Sequence, residues 1–204
     1  MTARTLAVMA AWCLAALAGC GGGDDAGQSA SNSPTLAPPA ALDADLAPPA
    51  AGPVPGTRAT CELSDFRAQA LALLAAHRAA GASCGSEGSF ATAPELAWND
   101  ALTQAALRHS DDMMAANDFA HAGSDGSDAG TRATAAGYVW SALGENIAAG
   151  PGSVAAAVAG WMASPGHCAN IMNPALRDVG LACVTGGAGN TYRSYWTMVL
   201  GRPR

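Results

Sequence analysis

The chain has 204 residues with no lysine, ten arginines and sixteen acidic residues, a net charge of −6 with histidines neutral. Half of it is hydrophobic, enough for one folded domain, but the first sixty residues are too rich in Gly, Ala and Pro to bury a core. A nucleic-acid binder needs a cationic footprint to release counterions from phosphates. This chain has none, which excludes that partner class and also excludes binding to anionic lipid through a basic helix.

Arg4 followed by the apolar run Leu6–Leu17 reads as a signal peptide over residues 1–19, because twelve residues are too few to cross a bilayer as a stable helix. Leu17-Ala18-Gly19-Cys20 resembles a bacterial lipobox, with Cys20 as the lipidated first residue; the alternative is ordinary cleavage and a soluble secreted product. On the lipobox reading the protein is extracytoplasmic, lipid-anchored at the outer membrane or cell surface, and touches membrane through that anchor only. Residues 20–60 hold seven of the twelve prolines and repeat Ala-Pro-Pro-Ala at 37–40 and 47–50, which reads as an extended tether. The folded domain is expected over 61–204, where twelve Asp and Glu face eight Arg.

Within that domain, Ser64 caps a helix carrying Phe66, Ala70, Leu73, Leu74 and His77 on one face, and Gly81 stops it. A second helix starts at Asn99 or Asp100 and runs to Met114, with Leu102, Ala106, His109 and Met113 on its buried face. His77 and His109 therefore read as hydrogen-bonded packing residues. The Gly-, Ser- and Asp-rich stretch from Asn117 to Thr131 is a loop whose aspartates make turns rather than a calcium site, and a short helix follows over 131–136. Ser153 caps a helix bearing Val154, Val158, Trp161 and Met162, with the tryptophan in the core, as Trp196 is too. Ser164-Pro165 opens another helix, holding His167 and Cys168. Val179–Val184 and Tyr192–Leu200 form a C-terminal hairpin around the Gly186–Asn190 turn. Helices followed by strands make an α+β fold with helices packed on an antiparallel sheet.

Of six cysteines, Cys13 leaves with the signal peptide and Cys20 takes the lipid. Four remain, with three possible pairings. Short loops favour Cys61–Cys84 and Cys168–Cys183, which an oxidising compartment would preserve; a four-thiolate zinc site would want Cys-x-x-Cys spacing, which is absent.

Three residues stand apart from the packing pattern. His121, Glu145 and His167 each lie in a Gly-rich or capped segment, and two neutral imidazoles with a carboxylate supply three ligands for zinc or another divalent ion. Their spacings of 24 and 22 residues match no local metal motif, so the residues alone favour solvated loop histidines and a structural glutamate over a shared site.

The order Pro94-Glu95-Leu96-Ala97-Trp98-Asn99, Phe119-Ala120-His121, Gly144-Glu145-Asn146-Ile147-Ala148, Trp161-Met162-Ala163-Ser164-Pro165-Gly166-His167, Asn170-Ile171-Met172-Asn173-Pro174, Val179-Gly180 and Tyr195-Trp196-Thr197 resembles the CAP superfamily, the cysteine-rich secretory, antigen 5 and pathogenesis-related proteins. The resemblance covers nearly all of 65–201 and implies a three-layer α-β-α sandwich with a large cleft that gathers His121, Glu145 and His167. Eukaryotic members place two histidines and two acidic residues there and can bind zinc. Here the position of the second acid is Ser164.

Three functions follow from the resemblance. One is a secreted binding module for a metal ion and a small lipid or protein ligand. A second is a metal-dependent hydrolase of peptide, ester or cell-wall bonds, with Glu145 as base, or a metal-free variant built on Ser164, His167 and Glu145. The third is a structural surface protein with a vestigial cleft. Oligomeric state is not legible in the sequence.

Overall fold

The computed structural model describes residues 57–204. The apolar leader, Cys20 and the tether up to residue 56 lie outside the described residues. Thr57–Thr60, assigned to the tether above, belong to the fold: Thr57–Ala59 form a 3-10 turn, Ala59 is buried, and Thr60 bridges in parallel to Cys183.

The elements follow in chain order as α1 (Phe66–Ala80), β1 (Ala82–Ser83), β2 (Ser89–Phe90), β3 (Ala97–Trp98), α2 (Asp100–Ala116), α3 (Ala129–Ala135), β4 (Trp140–Ala149), α4 (Val154–Met162), α5 (Pro165–Met172), β5 (Asp178–Thr185) and β6 (Ser194–Pro203). β1 and β2 form a small antiparallel ribbon, and the main sheet has the order β3-β5-β6-β4. β5 and β6 make the expected hairpin and β4 pairs antiparallel with β6, but β3 lies parallel to β5, so the sheet is mixed.

Alternation along the central strands sorts the core into two layers. Val179, Leu181 and Cys183 of β5, with Trp196, Met198 and Leu200 of β6, face α1, α4 and α5. Ala182 and Val199 face the other way, onto Leu102, Ala105 and Ala106 of α2 and Ala133 of α3. The molecule is an α-β-α sandwich, with Trp161 and Trp196 buried in its larger layer. Gly180 makes the α2 contact possible: a Cβ there would lie 2.2 Å from the backbone of Leu102 and Thr103.

Caps explain most helix starts. The Asn99, Asp128 and Ser153 side chains accept from Leu102, Thr131 and Ala156 N–H respectively. Two expectations shift. Asp65, in the left-handed region, rather than Ser64 precedes α1, and α3 begins two residues earlier than residue 131 because Asp128 caps it. His77 is only half-buried, whereas Arg78 is fully buried. Its guanidinium donates to the carbonyls of Pro94, Ile171, Asn173 and Leu176, tying α1 to the C-terminal end of α5.

The disulfides are Cys61–Cys183 and Cys84–Cys168, correcting both expected pairs. Nearness in sequence misled because the chain entry runs beside β5, with Cys61 N–H donating to Cys183 O. Cys84 stands instead at the start of α5, where the adjacent Gly85 packs against Pro165. No helix among the described residues is long and apolar enough to cross a membrane.

Candidate functional site

The site forms at the outer edge of β4, where the loop after α2, α3 and α5 meet. The run Gly144-Glu145-Asn146, given no strand in the sequence reading, is the middle of this ten-residue strand, paired with Leu200, Val199 and Met198 of β6. Successive side chains point to opposite faces. Asn146 faces α5, donating to the His167 carbonyl and accepting from Asn170, which also donates to Glu145 O. Gly144 permits this approach, since a Cβ there would sit 3.0 Å from the Asn170 amide.

Glu145 points to the α2–α3 side and is almost entirely buried, its side chain 6% exposed. Its Oε1 lies 2.8 Å from His121 Nδ1, and its Oε2 accepts from Arg132 Nη2 at 2.8 Å. Arg132, itself fully buried on α3, also donates to the carbonyls of His121 and Ser127, so one guanidinium fixes both the carboxylate and the loop that carries His121. Burial pushes the Glu145 carboxyl up, but the hydrogen bonds from His121 and Arg132 outweigh it and the net shift is downward. Glu145 is thus a carboxylate at neutral pH.

His121 and His167 come together, with ring centroids 6.5 Å apart. The His121 side chain is 56% exposed. Burial lowers the pKa of His167, and the neighbouring His121 adds to the effect, so its imidazole is neutral under ordinary conditions. The expected three-ligand set is not gathered as such: among the described residues no three His, Cys, Asp or Glu side chains converge as a metal-holding group. The reason is chemical. Both Glu145 oxygens are engaged, one of them by a guanidinium that would repel a cation. With its Nδ1 proton directed at Glu145, however, His121 leaves the Nε2 lone pair free, which is the way metal-binding imidazoles are oriented by a carboxylate behind them. Two imidazoles with that support fit a divalent ion; Glu145 fits as the group that orients one of them.

Ser164 occupies the N-cap position of α5, but its hydroxyl makes no cap hydrogen bond and none to His167 or Glu145. A Ser164–His167–Glu145 relay is therefore not assembled.

Sequence reasoning missed Arg132, Asn146, Asn170 and above all His109. The last is fully buried on α2 with its Nε2 3.8 Å from Glu145 Oε1, and neither ring nitrogen makes a hydrogen bond, although the Ala120 backbone lies beside the ring. Burial lowers its pKa, outweighing the attraction of Glu145. It packs on the helix face as expected, with the Ala120 backbone and Glu145 as the polar groups nearest its ring.

The chain matches the family model described as the cysteine-rich secretory protein family, CAP, over residues 71–200. No curated protein matches it. Among solved structures it is similar to an extracellular protein containing an SCP domain from Bacillus anthracis str. Ames, at 30% identity and a TM-score of 0.47, over 54% of this chain and 34% of that one. It is also similar to an outer surface protein from Borrelia burgdorferi, at 17% identity and a TM-score of 0.48, over 55% of this chain and 80% of that one. A cysteine-rich secretory protein from Staphylococcus aureus subsp. aureus Mu50 matches at 14% identity and a TM-score of 0.42, over 54% of this chain and 32% of that one. The chain spans about a third of the length of the Bacillus protein. The family match runs from within α1 to β6 and takes in every residue of the site just described, so the chain belongs to the cysteine-rich secretory protein, or CAP, family.

Proposed function

We propose that this CAP domain is an extracytoplasmic binding module in which His121 and His167 hold a divalent metal ion and Glu145 orients His121 from behind. The observation that carries this is the 2.8 Å contact between His121 Nδ1 and Glu145 Oε1, which leaves the other ring nitrogen of His121 for a ligand beside the His167 imidazole. Zinc is the best match, because borderline-soft nitrogen ligands and a low coordination number suit it. When bound, the ion supplies a Lewis-acidic point able to take an oxygen donor from a small lipid or protein ligand.

The chain's own residues do the rest. Arg132 neutralises Glu145 and holds the His121 loop, while Asn146 and Asn170 fix the α5 backbone that carries His167. A hydrolase would need a free base near the ion, and Glu145 is already committed on both oxygens, so binding is the better supported reading. Two disulfides between segments distant in sequence support an oxidising, extracytoplasmic location, with Cys20 as the proposed lipid anchor.

Titration calorimetry of the full chain with zinc chloride tests the reading. Near one equivalent is expected to bind, with binding lost in His121→Ala and His167→Ala. No heat of binding across the accessible pH range would overturn it.

A further inference from the structure

His109 is costly where it is. An imidazole with both nitrogens buried, and only the Ala120 backbone beside it at less than full hydrogen-bond geometry, loses its hydration for little return, whereas Leu or Met would fill the same space without that loss. It stands directly behind the carboxylate that serves His121. We infer that His109 is a positioning residue for Glu145: it takes over the Oε1 hydrogen bond when the exposed His121 swings off the carboxylate, so that the buried group is held in place for His121 and never left half-satisfied.

The geometry makes the exchange a small movement. Oε2 is anchored by Arg132 Nη2 at 2.8 Å, while Oε1 is shared unequally between His121 Nδ1 at 2.8 Å and His109 Nε2 at 3.8 Å. A shift of about 1 Å, by pivoting the carboxylate on its Arg132 contact, brings His109 to hydrogen-bond length. His121 is the partner free to leave, being more than half exposed on a loop, whereas His109 is enclosed on α2. The charged groups nearest His109 are Glu145, Arg132 and Asp112. None of them makes a hydrogen bond to its ring, and the Ala120 backbone is the other polar group beside it, so Nε2 donates to Oε1 when the neutral ring carries its proton there. A bound ion, as proposed above, would keep His121 on Glu145 and so oppose the exchange; the exchange itself can be tested with no metal present.

The test is two-bond proton–nitrogen correlation on the histidine-labelled full chain, comparing wild type with His121→Phe, which covers Oε1 but cannot donate to it, and with His121→Ala. In the metal-free His121→Phe protein a downfield, slowly exchanging His109 Nε2–H is expected, absent from wild type and abolished by adding His109→Leu. His109 resonances unchanged between wild type and both His121 variants would overturn the inference. Adding zinc chloride to wild type should leave this His109 signature absent, because the ion holds His121 on Glu145. If zinc itself produces the signature in wild type, the exchange stands and the reading of Glu145 as the support of a metal-bound His121 falls.

Discussion

His121 Nδ1 meets Glu145 Oε1 at 2.8 Å, although one side chain is 56% exposed and the other 6%. A surface imidazole is thereby held by a buried charge that is itself neutralised from behind by Arg132. The site is a graded structure, rigid at its base and open at its tip, and its behaviour on substitution follows from that.

Glu145→Ala leaves the Arg132 guanidinium buried without its counter-charge, and we expect a loss of about 3–5 kcal/mol in urea denaturation. Glu145→Gln keeps an acceptor for Arg132 and should cost distinctly less. Equal losses would mean that charge pairing at Arg132 contributes little.

Protonation should weaken the fold in the imidazole range. His109 and His167 are both lowered, burial being the leading cause in each. Just below the ordinary value of about 6.5 the unfolded chain therefore binds more protons than the folded one. Stability from these two groups is complete above about 6.5 and is lost as the pH falls through that value toward their lower folded-state values. Urea midpoints measured from pH 7.5 to 5 should decline, with a shallower decline in His109→Gln. A midpoint independent of pH over this range would contradict the assignment.

Mass spectrometry of unreduced peptides should find Cys61 joined to Cys183 and Cys84 to Cys168. The first bridge spans 122 residues of sequence, and in the chain-entropy model loops of this size contribute roughly 4–5 kcal/mol. Cys61→Ala with Cys183→Ala should therefore lower stability strongly while the other bridge still forms.

Gly180→Ala places a methyl group 2.2 Å from the α2 backbone, and backbone cannot yield as a flexible side chain can. The expected result is a loss of about 3 kcal/mol or failure to accumulate folded protein, measured by thermal unfolding. Gly160→Ala, where nothing lies within 4 Å of the added carbon, is the matched control and should be nearly neutral.

Elements whose signals are local were legible in the sequence. α2 and α4 carry a cap beside an amphipathic face, and the β5–β6 hairpin carries a turn between apolar runs. β4 was not legible as a strand, because Gly144, Glu145 and Asn146 break the apolar alternation for reasons that lie in α3 and α5: the first makes room for Asn170, the second meets Arg132 and the third binds the His167 carbonyl. The disulfides failed similarly, since pairing depends on which segments the sheet brings together. His121, Glu145 and His167 could be singled out as residues outside the packing pattern. His109 could not, because its place on the buried face of α2 is the same whether it meets an aliphatic side chain or a carboxylate from β4.

X-ray absorption fine structure at the zinc edge, on the zinc-loaded full chain, tests the central claim most directly. The account predicts two imidazoles in the first shell at about 2.0 Å in the wild type and in Glu145→Gln, with zinc no longer retained by either His121→Ala or His167→Ala. A first shell with fewer than two imidazoles in the wild type, or two imidazoles that persist when His121 is removed, would contradict it.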